Sequence, residues 1–337
     1  MMKKIAGAGD VRHTQQGLRD LASQWLAPPR IPKKFRIITD TSEFIRIDYD
    51  DIVVLDNSPF LIRHNQKEGR FGMDEQPKFW VKSAIDLSDG SKKIIKFVFH
   101  ERFQARIGNL LVDCIRSPLK EARILDLVRE HVSFMHGYPV LDTATNIVRI
   151  IDFIPGQTMG DYASADGIEH EEYFTTSFPA ILKEYVEAVQ AILFLHRQNE
   201  IHGDIRRDHL LRDTTSNRLR WIDFDYAHVP HEKKFVHDLC GLGNILMYIA
   251  GGRDITIQVL QDEMPHIRSA ITEDDLNIIF HNRIANLRKV FPYIPEALNR
   301  IFLHFSMGTK IYYDDTEQLL DDLIRAADAV DGAQTVV

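Results

Sequence analysis

Cysteine is nearly absent from this chain, and its scarcity excludes several classes of protein. Cys114 and Cys240 are the only two cysteines among 337 residues. They stand far apart and without metal-ligand spacing, so the sequence supports neither a disulfide framework nor a zinc site. The longest apolar run, residues 242–250, is much shorter than the ~20 residues that a membrane-spanning helix needs. We therefore expect a cytoplasmic protein without a membrane span.

Positive charge is also scarce relative to negative charge. The formal net charge is -8, which argues against a protein that coats nucleic acid, because phosphate backbones favour a basic surface. Hydrophobic residues make up 44% and charged residues 27%, the balance of a globular protein. The length is sufficient for one large two-lobed domain or two ordinary ones.

The first part of the chain changes character near residue 35. Residues 15–26 predict a short helix, and the prolines at positions 28, 29 and 32 cannot continue it. We therefore expect residues 1–34 to be an N-terminal extension. Residues 35–155 contain runs of Ile, Val, Phe and Tyr that predict antiparallel strands. The clearest hairpin joins residues 78–87 to 92–99 through Asp89-Gly90. Ser117-Pro118 predicts the start of a helix that ends near residue 130.

The second part of the chain is predicted to be mainly helical. Pro155-Gly156 is the expected hinge, and the apolar residues between 181 and 195 then recur at three- and four-residue steps. Residues 238–250 are apolar on nearly every side, which predicts a helix buried inside a lobe. We expect this part to extend over residues 156–327 and a flexible tail to occupy residues 328–337.

The most informative segment contains Asp204 in Ile-His-Gly-Asp-Ile-Arg-Arg-Asp-His and, after a polar turn, Asp223 in Trp-Ile-Asp-Phe-Asp. A tight hairpin of two short strands would bring the two carboxylates to one phosphate site. One carboxylate would orient the attacking hydroxyl and accept its proton, and the other would hold a metal ion against phosphate. A lone aspartate is usually a solvated loop residue, but the ordered pair of motifs favours a site.

These motifs resemble the catalytic loop and the Asp-Phe-Gly motif of the protein kinase superfamily. The resemblance covers roughly residues 60–325. It implies an α+β, two-lobed kinase-like fold, with an antiparallel sheet and one helix in the first lobe and a mainly helical second lobe. It also implies ATP and Mg²⁺, or alternatively Mn²⁺, as cofactors.

Further matches to the family follow in the expected order. Lys96 resembles the strand lysine that contacts the α- and β-phosphates, although Lys92 and Lys93 compete for that role. Glu121, at the fourth position of a helix that begins at Pro118, resembles the glutamate that pairs with this lysine. Asp238 resembles the aspartate that hydrogen-bonds the catalytic-loop backbone, and it also suits the positive end of its helix.

The resemblance assigns further roles along the chain. Arg206 is a catalytic-loop candidate, and the resemblance gives His202 and Phe224 supporting roles. The nucleotide-binding candidates flank the sheet and the hinge: Gly69, Gly72, Asp152 and Ile154.

The chain departs from the family pattern at several positions. Only Gly69 and Gly72 represent the glycine-rich loop, and Asp225 replaces the glycine of the second aspartate motif. No Ala-Pro-Glu fits before Asp238, and Tyr313 occupies the place of the arginine that would pair with that glutamate. His209 stands where the family has a metal-binding asparagine, as in lipopolysaccharide-core sugar kinases, so it is either a metal ligand or a packing residue.

The sequence therefore predicts an ATP-dependent phosphotransferase that acts on a hydroxyl-bearing acceptor. A serine/threonine protein kinase of atypical type is the leading interpretation. A small-molecule or sugar kinase is the first alternative, because of His209 and the short segment before Asp238. The second is a pseudokinase that binds nucleotide as a scaffold. The sequence leaves the acceptor and the oligomeric state open.

Overall fold

The computed structural model describes residues 14–70, 73–107, 110–228 and 233–334. The chain forms two compact units. Among the described residues, unit 1 lies within Met1–His100, Ser117–Glu130 and Met135–Ile154, and unit 2 lies within Glu101–Arg116, His131–Phe134 and Pro155–Val337. Unit 1 is mostly sheet and unit 2 is mostly helical, so the predicted α+β class is confirmed.

The strands of the described residues are short except for one long hairpin. In chain order they are β1 (Ile37–Ile38), β2 (Ile52–Leu55), β3 (Ser58–Arg70), β4 (Met73–Asp86), β5 (Lys92–Lys96), β6 (Arg102–Ile107), β7 (Leu110–Arg116), β8 (Gly137–Leu141), β9 (Ile147–Asp152), β10 (Gly156–Thr158), β11 (Leu210–Asp213), β12 (Arg218–Trp221) and β13 (Tyr226–His228).

The helices lie mainly in the second half of the chain. In chain order they are α1 (Gln15–Trp25), α2 (Pro118–Leu127), α3 (Met159–Tyr162), α4 (His170–Thr176), α5 (Phe178–Arg197), α6 (Val236–Gly251), α7 (Ile257–Glu263), α8 (Pro265–Arg268), α9 (Glu296–Leu303) and α10 (Thr316–Gln334). None of those in the described ranges combines the length and apolarity that crossing a membrane requires.

Unit 1 is built on a sheet with the strand order β1-β2-β3-β4-β5-β9-β8. The predicted hairpin through Asp89-Gly90 is confirmed, since β4 and β5 pair antiparallel from Ile85↔Lys92 to Val81↔Lys96. Gly90 has a φ of 75°, a conformation that glycine adopts without steric cost. The alternating strands bury aliphatic and aromatic side chains in one core, which includes Phe60, Ile95 and Phe97.

The predicted N-terminal extension is not a separate appendage where the structure describes it. Leu18 and Ala22 of α1 are buried in a second core of unit 1 with Leu61 and Leu87. The Trp25 indole N–H also donates to the carbonyl of Leu87 at 2.9 Å. Helix α1 therefore covers one face of the sheet, because its apolar stripe is long enough to bury two turns.

Helix α2 begins and packs as its sequence predicts. The Ser117 side chain accepts a hydrogen bond from the N–H of Lys120, and Pro118 occupies the first turn. The helix ends at Leu127, slightly earlier than predicted, and it contacts β8 and β9. Its buried face includes Glu121, which is placed inside unit 1.

Unit 2 is organised around α5 and the buried α6. The predicted helices over residues 181–195 and 238–250 are confirmed, and Gly252 ends α6 with a φ of 65°. Two small sheets, β10-β11-β12 and β13-β7-β6, accompany the helices. The β6–β7 hairpin groups with unit 2, although its sequence lies inside the predicted first lobe. Helix α10 continues to Gln334, so the tail predicted from residue 328 is helical over most of its length.

Candidate active site

A buried ion-pair cluster lies in unit 1 at the predicted phosphate-binding lysine. Lys96 Nζ lies 2.6 Å from Glu121 Oε1, and the two side chains are 3% and 0% exposed. Arg149 Nε lies 2.9 Å from the other carboxylate oxygen of Glu121 and is equally buried. One carboxylate therefore binds two cations, which satisfies the pairing that buried charge requires.

Strand register explains why Arg149 joins this cluster. Lys96 on β5 and Arg149 on β9 are directly opposite each other in the antiparallel pair, so their side chains share one face of the sheet. Arg149 Nη1 also donates to the carbonyls of Phe97 and Ile147. Sequence reasoning missed Arg149, although a charged residue inside the apolar run Ile-Val-Arg-Ile-Ile was a usable signal.

The two competing lysines have other contacts. Lys93 Nζ lies 2.6 Å from Asp152 Oδ1. The Lys92 ammonium lies 5.4 Å from the centre of the Phe153 ring. Of the three lysines on β5, Lys96 is thus the one that pairs with Glu121.

Three of the four predicted nucleotide-binding residues lie in the part of unit 1 that the structure describes. Asp152 ends β9 and pairs with Lys93, and Ile154 is buried at the last position of the unit. Gly69 lies near the end of β3, where Arg70 pairs with Met73 of β4. Gly72 lies outside the described residues.

In unit 2, Asp238 anchors the loop that carries Asp204. Its carboxylate accepts hydrogen bonds from the backbone N–H groups of His202 at 2.7 Å and Gly203 at 2.8 Å. His196 Nε2 lies 3.0 Å away, and His196 Nδ1 contacts the Thr316 hydroxyl at 2.6 Å. Burial opposes ionisation, but the hydrogen bond and charge of His196 hold the pKa of Asp238 well below its ordinary value.

The same loop packs tightly against α6 at a glycine. A Cβ atom added to Gly241 would lie 2.7 Å from the backbone oxygen of Ile205. Only glycine allows the loop and the helix backbones to approach this closely. Gly203 has a φ of 89°, which gives the chain its sharp turn just before Asp204. The position of Asp204 is therefore set by backbone contacts on both sides.

His209 lies between the two predicted catalytic carboxylates. Its Nδ1 is 2.9 Å from the backbone oxygen of Asp204 and 3.4 Å from the Asp204 carboxylate. Its Nε2 is 3.3 Å from Asp223 Oδ2. Burial raises the pKa of Asp204 above its ordinary value. The charges of His209 and Arg206 lower this pKa, and those of Asp223 and Asp225 raise it, so the net shift is upward. An elevated pKa suits a group that must accept a proton.

The donor set formed by His209 and Asp223 fits a divalent cation. The tautomer of His209 that donates from Nδ1 to the Asp204 carbonyl presents the lone pair of Nε2 to the side of Asp223. Two ligands of an octahedral ion, each ~2.1 Å from it, lie about 3 Å apart, close to the observed separation. Asp223 has a φ of 65°, a left-handed conformation that aspartate tolerates better than most residues do.

Arg206 and the supporting residues are held within unit 2. Arg206 forms a bidentate contact with Asp208, with Nη2 at 2.6 Å from Oδ2. Phe224 is fully buried and packs edge-on against Phe134 and the ring of His202. Arg206 therefore points its charge at a neighbouring carboxylate, while Phe224 and His202 fix the loops that carry Asp204 and Asp223.

Asp225 belongs to a second buried ion pair that sequence reasoning missed. Its carboxylate contacts Arg116 of β7, and both side chains are at most 1% exposed. Arg116 also contacts Glu101 at 3.1 Å, and the Tyr226 hydroxyl donates to Glu101 at 2.6 Å. Strand β13, which follows Asp225 directly, pairs with β7. Strand β13 and the ion pair with Arg116 therefore fix Asp225, which lies two residues after Asp223.

Comparison with known proteins agrees with these motifs. The chain is 28% identical to sperm motility kinase W of Mus musculus over 149 residues, which are 43% of this chain and 28% of that protein. It is 26% identical to SNF1-like protein kinase ssp2 of Schizosaccharomyces pombe over 186 residues, 55% of this chain and 28% of that protein. It is 28% identical to maternal embryonic leucine zipper kinase of Xenopus tropicalis over 150 residues, 44% of this chain and 20% of that protein.

The matches cover about half of this chain and less than a third of the length of each of these relatives. No protein-family model matches the chain. These relatives are named as kinases, so the chain is similar to members of the protein kinase superfamily over about half of its length.

Proposed function

We propose that this chain is an ATP-dependent phosphotransferase that moves the γ-phosphate to a hydroxyl group, and that it is a serine/threonine protein kinase of atypical type. One observation carries the proposal: the carboxylates of Asp204 and Asp223 both lie close to the ring of His209. Asp238 anchors the loop that carries Asp204. The kinase relatives support phosphotransfer.

Asp204 would orient the acceptor hydroxyl and accept its proton at the carboxylate. This role requires an ionised group of raised basicity at working pH, and burial supplies that basicity. The backbone contacts around Gly203 and Ile205 would keep the carboxylate in one position, which is how a fixed base lowers the barrier to transfer.

Asp223 and His209 would hold the divalent ion. When bound, that ion supplies positive charge that neutralises the phosphate oxygens. The carboxylate of Asp223 is a suitable ligand for Mg²⁺, whereas the imidazole of His209 suits Mn²⁺ and later transition metals better. Mn²⁺ is thus the expected alternative to Mg²⁺ in this chain.

Lys96 would contact the phosphates of ATP, with Glu121 holding its ammonium group in place. The ion pair to Glu121 is already formed, so Lys96 needs no rearrangement of α2 before it can act. Arg149 would be a positioning residue, because it contacts Glu121 and no group assigned here to substrate.

A small-molecule kinase is a second candidate, and one observation favours it. Only residues 224–235 separate Asp223 from the start of α6. Among them, Asp225 forms an ion pair with Arg116, and Tyr226 belongs to strand β13, which pairs with β7. Little chain remains to build a docking platform for a peptide. The protein-kinase relatives favour the first candidate.

The experiment is transfer from γ-labelled ATP to fractionated cell extract, with Mg²⁺ or Mn²⁺ present. We expect label on macromolecules, with phosphoserine or phosphothreonine after acid hydrolysis. Label only in the small-molecule fraction would establish the second candidate. No transfer to any fraction, together with normal binding of nucleotide, would indicate a pseudokinase and contradict the proposal.

A further inference from the structure

We propose that unit 2 carries a second metal site, for Zn²⁺ or a similar soft divalent ion, formed by Cys114, His228 and His237. The sulfur and one ring nitrogen of each histidine all lie within 4.8 Å of one another. The proposal does not rest on the phosphotransferase function, and it concerns other residues than His209 and Asp223.

Strand pairing brings the first two ligands together. Cys114 on β7 and His228 on β13 are directly opposite in the antiparallel register, so their side chains lie on the same face of the small sheet. His237 reaches them from the first turn of α6, and its ring centre lies 4.6 Å from that of His228. Three separate elements thus converge, which explains why the sequence spacing shows no zinc motif.

The ring of His228 is oriented as a ligand ring would be. Its Nε2 lies 3.2 Å from the backbone oxygen of Gly203 and can donate to it. Histidine ligands of metals generally donate their second ring N–H to a carbonyl or carboxylate, which fixes the tautomer and leaves the other nitrogen for the ion. His228 Nδ1 is therefore the predicted ligand atom.

The chemistry of the three groups selects the ion. A thiolate and two imidazoles favour Zn²⁺ and related transition metals, whereas Mg²⁺ takes oxygen ligands. Three protein ligands and one water would complete a tetrahedron in which the ligand atoms are about 3.5 Å apart. The three ligand atoms lie within 4.8 Å of one another, so side-chain movements of roughly 1 Å would bring them to that distance. Cys114 is fully buried.

A bound ion would join β7, β13 and α6 across the chain between His228 and His237. In protein kinases, phosphorylation commonly orders the segment that follows the metal-binding aspartate, through pairs with arginine. Here the bound ion would hold both ends of the corresponding segment, at His228 and at His237, so ordering these ends would not require phosphorylation. The site would therefore stabilise the region next to Asp204 and Asp223 structurally.

The test is a Co²⁺ titration of the full chain after removal of metal with EDTA. We expect one tightly bound equivalent to give thiolate-to-cobalt charge-transfer absorption and the intense visible bands of tetrahedral Co²⁺, separate from any octahedral ion at His209 and Asp223. Elemental analysis should give one Zn²⁺ per chain after loading with Zn²⁺. Absence of the charge-transfer band from the folded wild type would overturn the site.

Matched variants assign the ligands. Cys114→Ser should abolish the charge-transfer band, whereas Cys240→Ser, which changes the other buried cysteine, should retain it. Asp223→Asn should also retain it, because that residue belongs to the other site. His237→Gln should weaken binding at least ~100-fold, since loss of an outer partner alone costs up to that factor.

Circular dichroism confirms that each variant is folded. If Cys114→Ser does not fold, His228→Gln and His237→Gln decide the matter, because neither changes the buried sulfur. Wild-type Co²⁺ affinity in both histidine variants, or loss of the band in Cys240→Ser, would refute the assignment. A wild type in which every bound Co²⁺ gives an octahedral spectrum would refute it as well.

Discussion

Arg149 and Glu121 form an ion pair in which neither side chain is exposed, with 2.9 Å between Arg149 Nε and Glu121 Oε2. The same carboxylate binds Lys96, the lysine expected to contact phosphate. Glu121 is therefore held by a cation that is itself fixed to the carbonyls of Phe97 and Ile147. Arg149 therefore fixes the position of Glu121 within unit 1.

Replacing Arg149 with Met should lower the free energy of unfolding by about 3 kcal/mol, because a buried carboxylate loses one of its two cations. Turnover should also fall, through the position of Lys96. Urea denaturation and a transfer assay measure the two effects. Lys92→Met is the matched control, and we expect it to change neither quantity by much.

The pair of changes Lys96→Met and Glu121→Gln should be strongly non-additive in their effect on ATP use, because each removes the same contact. Fully additive losses in the double variant would show that the two side chains act independently. That result would remove Glu121 from the role we assign it.

The Arg116–Asp225 pair leads to a separate prediction. Asp225→Gly introduces the glycine of the Asp-Phe-Gly motif. It leaves Arg116 buried without that carboxylate and should lower the free energy of unfolding by about 3–5 kcal/mol. Adding Arg116→Met should recover part of the loss. Thermal and urea unfolding of the three variants measure this, and a neutral Asp225→Gly would show that the pair is unimportant for stability.

Asp238 should make stability depend on pH in the acid range. Its pKa in the folded chain is depressed below the ordinary value of about 3.8, so its stabilisation is complete above that pH and is lost as pH falls further. Asp238→Asn should thus be much less stable than wild type at pH 7, and the gap should narrow below about pH 4. Urea midpoints across this range provide the check. A gap that stays constant down to pH 3 would contradict the assigned ionisation.

His209→Asn should shift metal preference. Mn²⁺ accepts the imidazole nitrogen of His209 more readily than Mg²⁺ does, so the variant should show a lower ratio of Mn²⁺- to Mg²⁺-supported turnover than wild type, with the fold preserved. Turnover across a metal series for the two proteins is sufficient. If the ratio does not change, His209 is a packing residue that only spaces Asp204 from Asp223.

Local sequence signals predicted much of this structure. Ser117-Pro118 specified the start of α2, Asp89-Gly90 specified a hairpin, and the apolar run after Asp238 specified α6, because each depends on contacts within a few residues. The link between Lys96 and Glu121 followed from family resemblance, and the structure places the two in contact.

What the sequence did not predict depends on pairing between distant segments. Arg149 meets Glu121 only because β9 pairs with β5 in one register, and a shift of one residue would place it on the other face. Arg116 contacts Asp225 because β7 pairs with β13, although the two residues are more than a hundred positions apart in the sequence. Burial of α1 likewise required a sheet surface that short-range patterns do not reveal.

The central claim is that Asp204 and Asp223 have different roles in one phosphotransfer reaction. The most direct measurement compares metal-dependent nucleotide binding with transfer from γ-labelled ATP in Asp204→Asn and Asp223→Asn. Asp204→Asn should bind nucleotide and metal like wild type and lose at least about a hundredfold in transfer rate, within the usual contribution of a general base. Asp223→Asn should lose both metal-dependent binding and transfer. Transfer at the wild-type rate by Asp204→Asn would contradict the account.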